Sequence, residues 1–110
     1  MDRGSPRTST NSPLDSVLKP TDGASNREAV LTPECLQDLE HWTRTKPRQA
    51  RRVLKLIRAT LRAPFVGLGK PEPLRGELAG RWFRRIDSEH RLIYQVTADR
   101  VYFLAARNHY

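Results

Sequence analysis

Four residues in the C-terminal half of this 110-residue chain could together act on a phosphodiester: Glu72, Arg91, His109 and Tyr110. Glu72 lies between two prolines in KPEPL. Because each proline restricts its own φ and the conformation of the residue before it, this carboxylate is displayed on a stiff backbone. Arg91 lies in EHRLIY, and His109 and Tyr110 are the last two residues. Terminal residues are usually frayed unless something holds them, so an imidazole and a phenol at this position suggest the edge of a site.

These residue types match the requirements of RNA cleavage without a metal ion. The 2′-hydroxyl attacks its own 3′-phosphate, so a base must take the hydroxyl proton and cations must offset the charge on the phosphorane. An acid must then protonate the departing 5′-oxygen. Histidine, with an unperturbed pKa of about 6.5, can act as either acid or base at neutral pH. Spacing alone does not establish this arrangement, and composition by itself favours simple RNA binding over catalysis.

The charge of the chain is concentrated in the part that we expect to fold. The formal net charge is +8, and residues 27–110 hold 17 Lys and Arg against 9 Asp and Glu. Residues 1–26 are charge-balanced, rich in Ser, Thr, Pro, Asn and Gly, and poor in apolar residues, so we predict a disordered N-terminal extension. The excess indicates a polyanionic partner, with nucleic acid the first candidate, although a merely soluble basic surface would have the same charge.

Composition also argues against several classes of protein. No apolar run approaches the ~20 residues needed to cross a bilayer, and residues 1–26 lack the apolar core of a signal peptide, so we expect a cytoplasmic protein. The lone Cys35 fits a reducing compartment and a helical core position. The few His and Cys residues lack zinc-site spacing, and we predict neither a metal nor another cofactor.

Two helices are predicted after a short strand, EAVLT, at 28–32. Thr32 is a suitable N-cap with Pro33 at the first helical position, and the apolar spacing continues to about Thr45. Pro47 opens a second helix that Pro64 ends. Its predicted apolar stripe is Ala50, Val53, Leu54, Ile57 and Leu61, and its cations are Arg48, Arg51, Arg52, Lys55, Arg58 and Arg62.

Beyond a loop at 63–76 the hydrophobic period falls to two, which predicts strands at 78–86, 90–96 and 100–108 joined by short turns. The order β-α-α-β-β-β predicts a compact α+β domain over residues 27–110, with two helices packed on one face of an antiparallel sheet. The other face would be free and basic. Alternation places Arg84 and Arg85 on opposite faces, and likewise His90 and Arg91.

Four separated motifs in this half of the chain carry a family resemblance. GKPEPL, W-x-RRI, EHRLIY and the terminal HY occur in the order found in the YoeB (Txe) group of the RelE/ParE toxin superfamily, and the segment from about Arg27 to Tyr110 resembles these toxins. They belong to bacterial type II toxin–antitoxin pairs. The resemblance implies the RelE-like, microbial-ribonuclease-like α+β fold. Two departures are the 26-residue extension and the lack of an aromatic residue in EAVLT.

The resemblance also implies an activity: a ribosome-dependent mRNA endonuclease that cuts codons in the A site and so inhibits translation. By motif, Glu72 would be the general base, Arg91 would stabilise the transition-state phosphate, His109 would be the general acid, and Tyr110 would position or stack the nucleotide. Arg85 would contact phosphate, with Arg84 as a second candidate. Implied partners are the ribosome with its A-site mRNA, a cognate YefM/Phd-like antitoxin and, since the family often forms dimers, a second copy.

Other readings remain open from the residues. Lys70 and Arg107 are candidate RNA contacts or solvated charges. The whole domain could be a non-catalytic module that binds RNA or the ribosome, which would tolerate loss of Glu72 and His109. It could also be a gyrase inhibitor like the ParE toxins, but those lack the acid–base set present here.

Overall fold

The computed structural model describes residues 27–107, so the predictions for residues 1–26, His109 and Tyr110 lie outside the described residues. Strand β1 spans Glu28–Leu31 and helix α1 spans Pro33–Thr45. As predicted, Thr32 is the N-cap, and its hydroxyl accepts a hydrogen bond from the Cys35 N–H at 3.2 Å. This satisfies one of the free N–H groups that begin every helix.

Helix α2 spans Pro47–Arg62, in agreement with the predicted start at a proline and end before Pro64. Its buried face differs from the predicted stripe, because Leu54 is 47% exposed while Leu56 and Thr60 are fully buried. Thr60 can be buried since its hydroxyl donates to the Leu56 carbonyl at 2.7 Å. No helix within residues 27–107 is both long and apolar enough to span a membrane.

The five strands form one sheet in the order β1-β5-β4-β3-β2. Strand β3 spans Trp82–Arg85, β4 spans Arg91–Val96 and β5 spans Arg100–Ala105, all shorter than or equal to the predicted runs. Strand β2, Glu72–Pro73, lies in a segment that sequence alone placed in a loop, and a 3₁₀ turn at Gly76–Leu78 separates it from β3.

The α+β architecture is confirmed, but the sheet is mixed rather than wholly antiparallel. β1 runs parallel to β5, with Glu28 opposite Arg100, whereas the β2–β3, β3–β4 and β4–β5 pairs are antiparallel. A parallel pair needs a long crossover between its strands, and everything from α1 to β4 supplies it here. Periodicity reports that a strand exists, not which neighbour it pairs with.

Both helices cover the same face of the sheet. The core joins α1 and α2 to inward residues of β4 and β5, and it includes Cys35, Trp42, Val53, Leu56, Ile57, Leu92, Tyr94, Val101 and Phe103. Cys35 is the predicted core residue: burial, with smaller contributions from Asp38 and Glu34, raises the pKa of its thiol to about 12. A thiol with that pKa is not a nucleophile at neutral pH.

Candidate active site

The sheet register brings the separated motifs to one end of the open face. Glu72 pairs with Phe83 across β2 and β3, and Arg85 pairs with Arg91 across β3 and β4. Phe83 and Arg85 are two residues apart and so share a face, which makes Glu72, Phe83, Arg85 and Arg91 neighbours on that face. Paired residues on adjacent strands lie about 5 Å apart. The carboxylate and the arginines predicted from sequence are thus assembled by hydrogen-bonded pairing of three strands.

The edge beside Arg85 is built by the loop that precedes β2. The Arg85 N–H donates to the Gly69 carbonyl at 2.7 Å, which continues the β2–β3 pairing by one step. Gly69 has φ +84°, and a Cβ there would lie 2.9 Å from Leu56 Cδ2 and 3.0 Å from Arg84 Cβ. Lys70 follows with φ +52° and is exposed. The loop therefore brings Lys70 to the same edge as Arg85, since the residue before it is hydrogen-bonded to Arg85.

Arg91 is held by the turn that joins β3 to β4. One of its terminal nitrogens, Nη1, donates to the carbonyls of Asp87 and His90 at 3.0 and 3.2 Å. Its guanidinium also lies over the Phe83 ring, 5.7 Å from the ring centre. These contacts fix the direction of the side chain while leaving donors of the guanidinium for an anion.

Asp87 stabilises this turn from within. Its Oδ1 accepts from the backbone N–H groups of Glu89 and His90 at 2.8 and 2.6 Å, and Gln49 of α2 donates to its other oxygen. Burial on its own would raise the pKa of Asp87, but these hydrogen bonds outweigh it and lower the pKa of the carboxyl overall. The sequence predicted a turn at Asp87, but it did not predict the hydrogen bond between the Asp87 carbonyl and Arg91.

Arg84 corrects a sequence prediction, because it is fully buried and cannot contact RNA. Its guanidinium donates to the carbonyls of Ala63, Val66 and Leu68 at 2.6, 3.0 and 2.7 Å. Its Nε donates to the hydroxyl of Tyr94 at 3.3 Å. Arg84 is therefore a structural cation that fixes the loop leading to Glu72.

Strand β5 leads the chain toward the same region. Ala105 pairs with Ile93, two residues beyond Arg91 in β4, so the antiparallel chain leaves β5 in the direction of Arg91. Arg107, the last described residue, is exposed. Desolvation, with smaller contributions from the positive charges of Arg107 and Arg44, lowers the pKa of His41 in α1. His109 and Tyr110 follow outside the described residues.

Sequence reasoning did not identify Asp38 or Phe83, and it placed Trp42 in the helix core and Asp87 in a turn without linking either of them to this region. Trp42 packs edge-to-face between the rings of His41 and His90, with centroid distances of 4.8 and 4.9 Å. This contact turns His90 toward the helices and leaves Arg91 on the open face. Within residues 27–107 no three His, Cys, Asp or Glu side chains are grouped as metal ligands would be.

The arrangement can bind a phosphate and take a proton beside it. One exposed carboxylate, Glu72, stands next to an aromatic ring and a row of cations along one end of a rigid sheet. Two helices over a mixed five-stranded sheet, with a carboxylate and arginines on the opposite face, define the class as a small basic α+β protein.

Comparisons with known proteins identify the family. The family model described as "YoeB-like toxin of bacterial type II toxin-antitoxin system" matches residues 31–110. The chain is 48% identical over 84 residues to the toxin YoeB of Mycobacterium bovis and 44% identical over 81 residues to that of Escherichia coli K12. These alignments cover 76% and 74% of this chain and 99% and 96% of the relatives. The chain belongs to the YoeB family of type II toxin–antitoxin toxins.

Solved structures agree with this assignment. A YoeB/ParE toxin from Agrobacterium tumefaciens superposes with a TM-score of 0.71 at 44% identity, covering 76% of this chain and 99% of that one. The Staphylococcus aureus YoeB dimer gives a TM-score of 0.72 at 27% identity, covering 77% and 99%. The same toxin, in a YoeB–YefM complex, gives 0.69 over 76% of this chain and 98% of that one, also at 27% identity. The predicted fold and family are thereby confirmed.

Proposed function

We propose that this toxin is an endoribonuclease that cuts mRNA in the ribosomal A site by attack of the substrate's own 2′-hydroxyl. The observation that carries the proposal is the register that brings Glu72, Arg85 and Arg91 from three strands to one exposed end of the sheet. A single carboxylate beside several cations suits a reaction that moves a proton next to a phosphate.

Glu72 acts as the general base in this proposal and takes the proton of the 2′-hydroxyl. Arg91 and Arg85 offset the charge that builds on the non-bridging oxygens of the phosphorane. Support for these roles comes from exposure: Glu72 and Arg85 are exposed, and Arg91 is partly exposed with its guanidinium already oriented by Asp87 and Phe83. Preoriented donors are effective because they need no reorganisation during the reaction.

His109 acts as the general acid that protonates the departing 5′-oxygen, and Tyr110 positions or stacks the nucleotide. Both roles rest on the family resemblance of the terminal HY motif and on the direction in which β5 leads the chain. Lys70 and Arg107 supply further phosphate contacts. Arg84 is excluded from this set by its burial.

The ribosome is the proposed substrate complex, and the outer face of α2 is suited to its RNA. Arg48, Arg51, Lys55, Arg58 and Arg62 are all exposed along this helix. Arg52 is different, because its guanidinium donates to the carbonyls of Arg85 and Ile86 at 3.1 and 3.3 Å and ties α2 to the end of β3. Phosphate contacts from the exposed cations would make ribosome binding strongly dependent on salt.

A YefM-like antitoxin and a second copy of the chain are the proposed protein partners. The supporting observation is the likeness to the Staphylococcus aureus toxin, which is described both in a YoeB–YefM complex and as a dimer. Such a complex would neutralise the toxin if the antitoxin covered or disturbed the end of the sheet that carries Glu72 and Arg91.

The reaction is tested with ribosomes programmed with an A-site mRNA. We expect products with a 2′,3′-cyclic or 3′-phosphate and a free 5′-hydroxyl, and no cutting of an mRNA with a single 2′-deoxy substitution at the scissile nucleotide. That mRNA lacks the nucleophile but can still bind. Cutting of the 2′-deoxy mRNA, or products with 5′-phosphate ends, would contradict the mechanism.

The assigned roles are tested by substitution. Glu72→Gln and His109→Gln should each lower the cleavage rate by about 10²–10⁴-fold, the usual contribution of a general acid or base. Glu77→Gln is the matched control, since Glu77 is exposed in the same segment but lies in the 3₁₀ turn between β2 and β3 and not in a strand that pairs with Phe83. Thermal unfolding should be unchanged in all three. A folded Glu72→Gln protein with full activity would remove Glu72 from the mechanism, and gyrase inhibition without RNA cleavage would favour a ParE-like function.

A further inference from the structure

Ala106 is fully buried just beyond the end of β5, and side chains of helix α1 bind both of its backbone groups. Its N–H donates to Oδ2 of Asp38 at 2.9 Å, and its carbonyl accepts from Nε1 of Trp42 at 2.8 Å. Asp38 and Trp42 are four residues apart and therefore lie one above the other on the same face of the helix. They replace the partner strand that Ala106 lacks.

This pair of hydrogen bonds, the Ala106 clamp, is rigidly supported. Asp38 is 8% and Trp42 is 3% exposed, and the indole is packed between His41 and His90. Upstream, the hydroxyl of Thr32 donates to the carbonyls of Phe103 and Leu104 at 3.2 and 3.1 Å. Helix α1 and its N-cap therefore hold β5 over its last residues and fix the point from which the chain continues.

The clamp lies within a short chain length of the proposed general acid. His109 is three residues beyond Ala106 in the sequence. The pairing of Ala105 with Ile93 aims the chain along β4 toward Arg91. Within residues 27–107, Ala106 is thus the residue nearest to His109 in sequence whose backbone is held by side chains of α1.

We propose that Asp38 and Trp42 are positioning residues for the cleavage reaction: by holding Ala106, they set the position of His109 relative to the scissile phosphate. This role rests on the proposed function of His109. It predicts that weakening the clamp impairs the chemical step, because a misplacement of about 1 Å can cost about 10²-fold in rate, while mRNA and ribosome binding stay intact. In a purely structural role, the two side chains would only provide hydrogen bonds to the buried backbone groups of Ala106. Their substitution would then lower the stability without changing the rate of the chemical step.

The two roles are separated by kinetics on programmed ribosomes. Asp38→Leu removes the acceptor but keeps a side chain that branches at Cγ, and Trp42→Phe removes the donor but keeps an aromatic ring. Both should lower kcat by about ten-fold or more with KM changed less than about two-fold. Asp38→Asn keeps an oxygen that can accept from the Ala106 N–H, and it should restore kcat to near the wild-type value.

Val53→Ala is the control for stability. Val53 is fully buried in α2, so its truncation opens a cavity, but it bonds neither to Ala106 nor to the proposed site. At a temperature where Val53→Ala and the clamp variants are equally and almost fully folded, Val53→Ala should keep its kcat. If Trp42→Phe and Asp38→Leu keep theirs as well, the positioning role is overturned.

The same assay distinguishes this inference from the proposed function. If the wild-type protein cuts and His109→Gln does not, the proposed function stands, and an undiminished kcat in the folded clamp variants refutes only the role of the clamp. If the wild type and His109→Gln cut equally well, the proposed function of His109 fails and the positioning role fails with it. A failure of Asp38→Asn to restore kcat would also count against the clamp.

Discussion

Arg84 and Arg85 are adjacent in β3, but one side chain is fully buried and the other is exposed. The core-facing Arg84 uses its donors on three backbone carbonyls and the Tyr94 hydroxyl. The open-facing Arg85 lies beside Arg91 in the register and has its side chain available to a ligand. Two neighbouring arginines in one motif thus have different roles. Arg84 stabilises the loop that leads to Glu72, and Arg85 lies on the exposed face beside Arg91.

The difference shows that a count of cations overstates the charge offered to a partner. One of the positive charges, that of Arg84, is buried inside the molecule, where its hydrogen-bond acceptors are carbonyl oxygens rather than carboxylates. Burial is tolerated because each donor that leaves water finds an acceptor. The Tyr94 hydroxyl extends the network by donating to the Pro64 carbonyl at 2.7 Å, and burial raises the pKa of this phenol.

The largest expected effect is the difference in stability between Arg84→Met and Arg85→Met. Arg84→Met leaves three partly buried loop carbonyls without their donor and should lower the free energy of unfolding by about 3–5 kcal/mol. Arg85→Met should change it by no more than about 0.5 kcal/mol, because the side chain is exposed. Chemical denaturation of both variants measures this difference.

Cleavage assays sharpen the same comparison. Folded Arg85→Met should cut programmed ribosomes roughly ten- to a hundred-fold more slowly than the wild type, the loss expected for one charged hydrogen bond to phosphate. Equal stability losses in the two variants would show that the faces are not distinct in the way described here.

A smaller effect is expected from two glycines in the segment between α2 and β3. Both have positive φ, +84° at Gly69 and +68° at Gly76, but an added Cβ at Gly69 would press on Leu56 and Arg84, whereas nothing lies within 4 Å of one at Gly76. Gly76→Ala should therefore cost only about 1 kcal/mol of backbone strain, and Gly69→Ala about 1–3 kcal/mol more. Thermal unfolding of the pair tests whether the Arg84 side of the loop is as tightly packed as described.

The smallest expected effect is a pH dependence of the stability. It distinguishes the hydrogen bonds made by Arg84 from the turn at Asp87 that holds Arg91. The hydrogen bonds of Arg84 go to backbone carbonyls and to the Tyr94 hydroxyl. The Asp87 turn instead depends on an ionised carboxyl whose pKa is lower in the folded protein than its unfolded value of about 3.9. Its contribution is therefore complete above about pH 4 and is lost as the pH falls through the folded pKa. Since Asp87 is partly exposed, we expect no more than about 1 kcal/mol.

Asp87→Asn provides the comparison for that measurement. The stability difference between wild type and Asp87→Asn should be greatest at neutral pH and should shrink below about pH 4 in urea titrations. A difference that stays constant from pH 7 to pH 3 would mean that the charge of Asp87 contributes nothing to the turn.

Local patterns predicted the elements well because each has a local cause. Thr32 and Pro33 fix the start of α1, Pro47 fixes the start of α2, and alternation fixes the last three strands. Alternation also separates Arg84 from Arg85. It cannot tell which of the two faces inward, because the acceptors that make burial of Arg84 tolerable come from a loop at 63–68 whose backbone no periodic pattern describes.

Long-range features were the ones that sequence did not supply. The parallel pairing of β1 with β5 and the clamp on Ala106 join segments far apart in the chain. The strand at Glu72 was missed for a different reason, because two residues are too few to show an alternating pattern. Leu54 fits a helical stripe but is 47% exposed, while Leu56 is fully buried, because a helical period does not fix which side of the stripe packs on the sheet. For the candidate site, motifs indicated which residues to consider, while the register and the turn at Asp87 determine which of them meet.

The parallel pairing of β1 with β5 has a consequence for how the protein is made. β1 is the first of the five strands to be synthesised, but its neighbour in the sheet is the last, so Glu28 stays without its partner until Arg100 has been added. Contacts between such distant residues close late and slow folding. A chain interrupted anywhere before β5 would lack the strand that joins β1 to the rest of the sheet. Premature stop codons before residue 100 should therefore yield harmless fragments, and selection for survivors of the toxin should recover them throughout the gene.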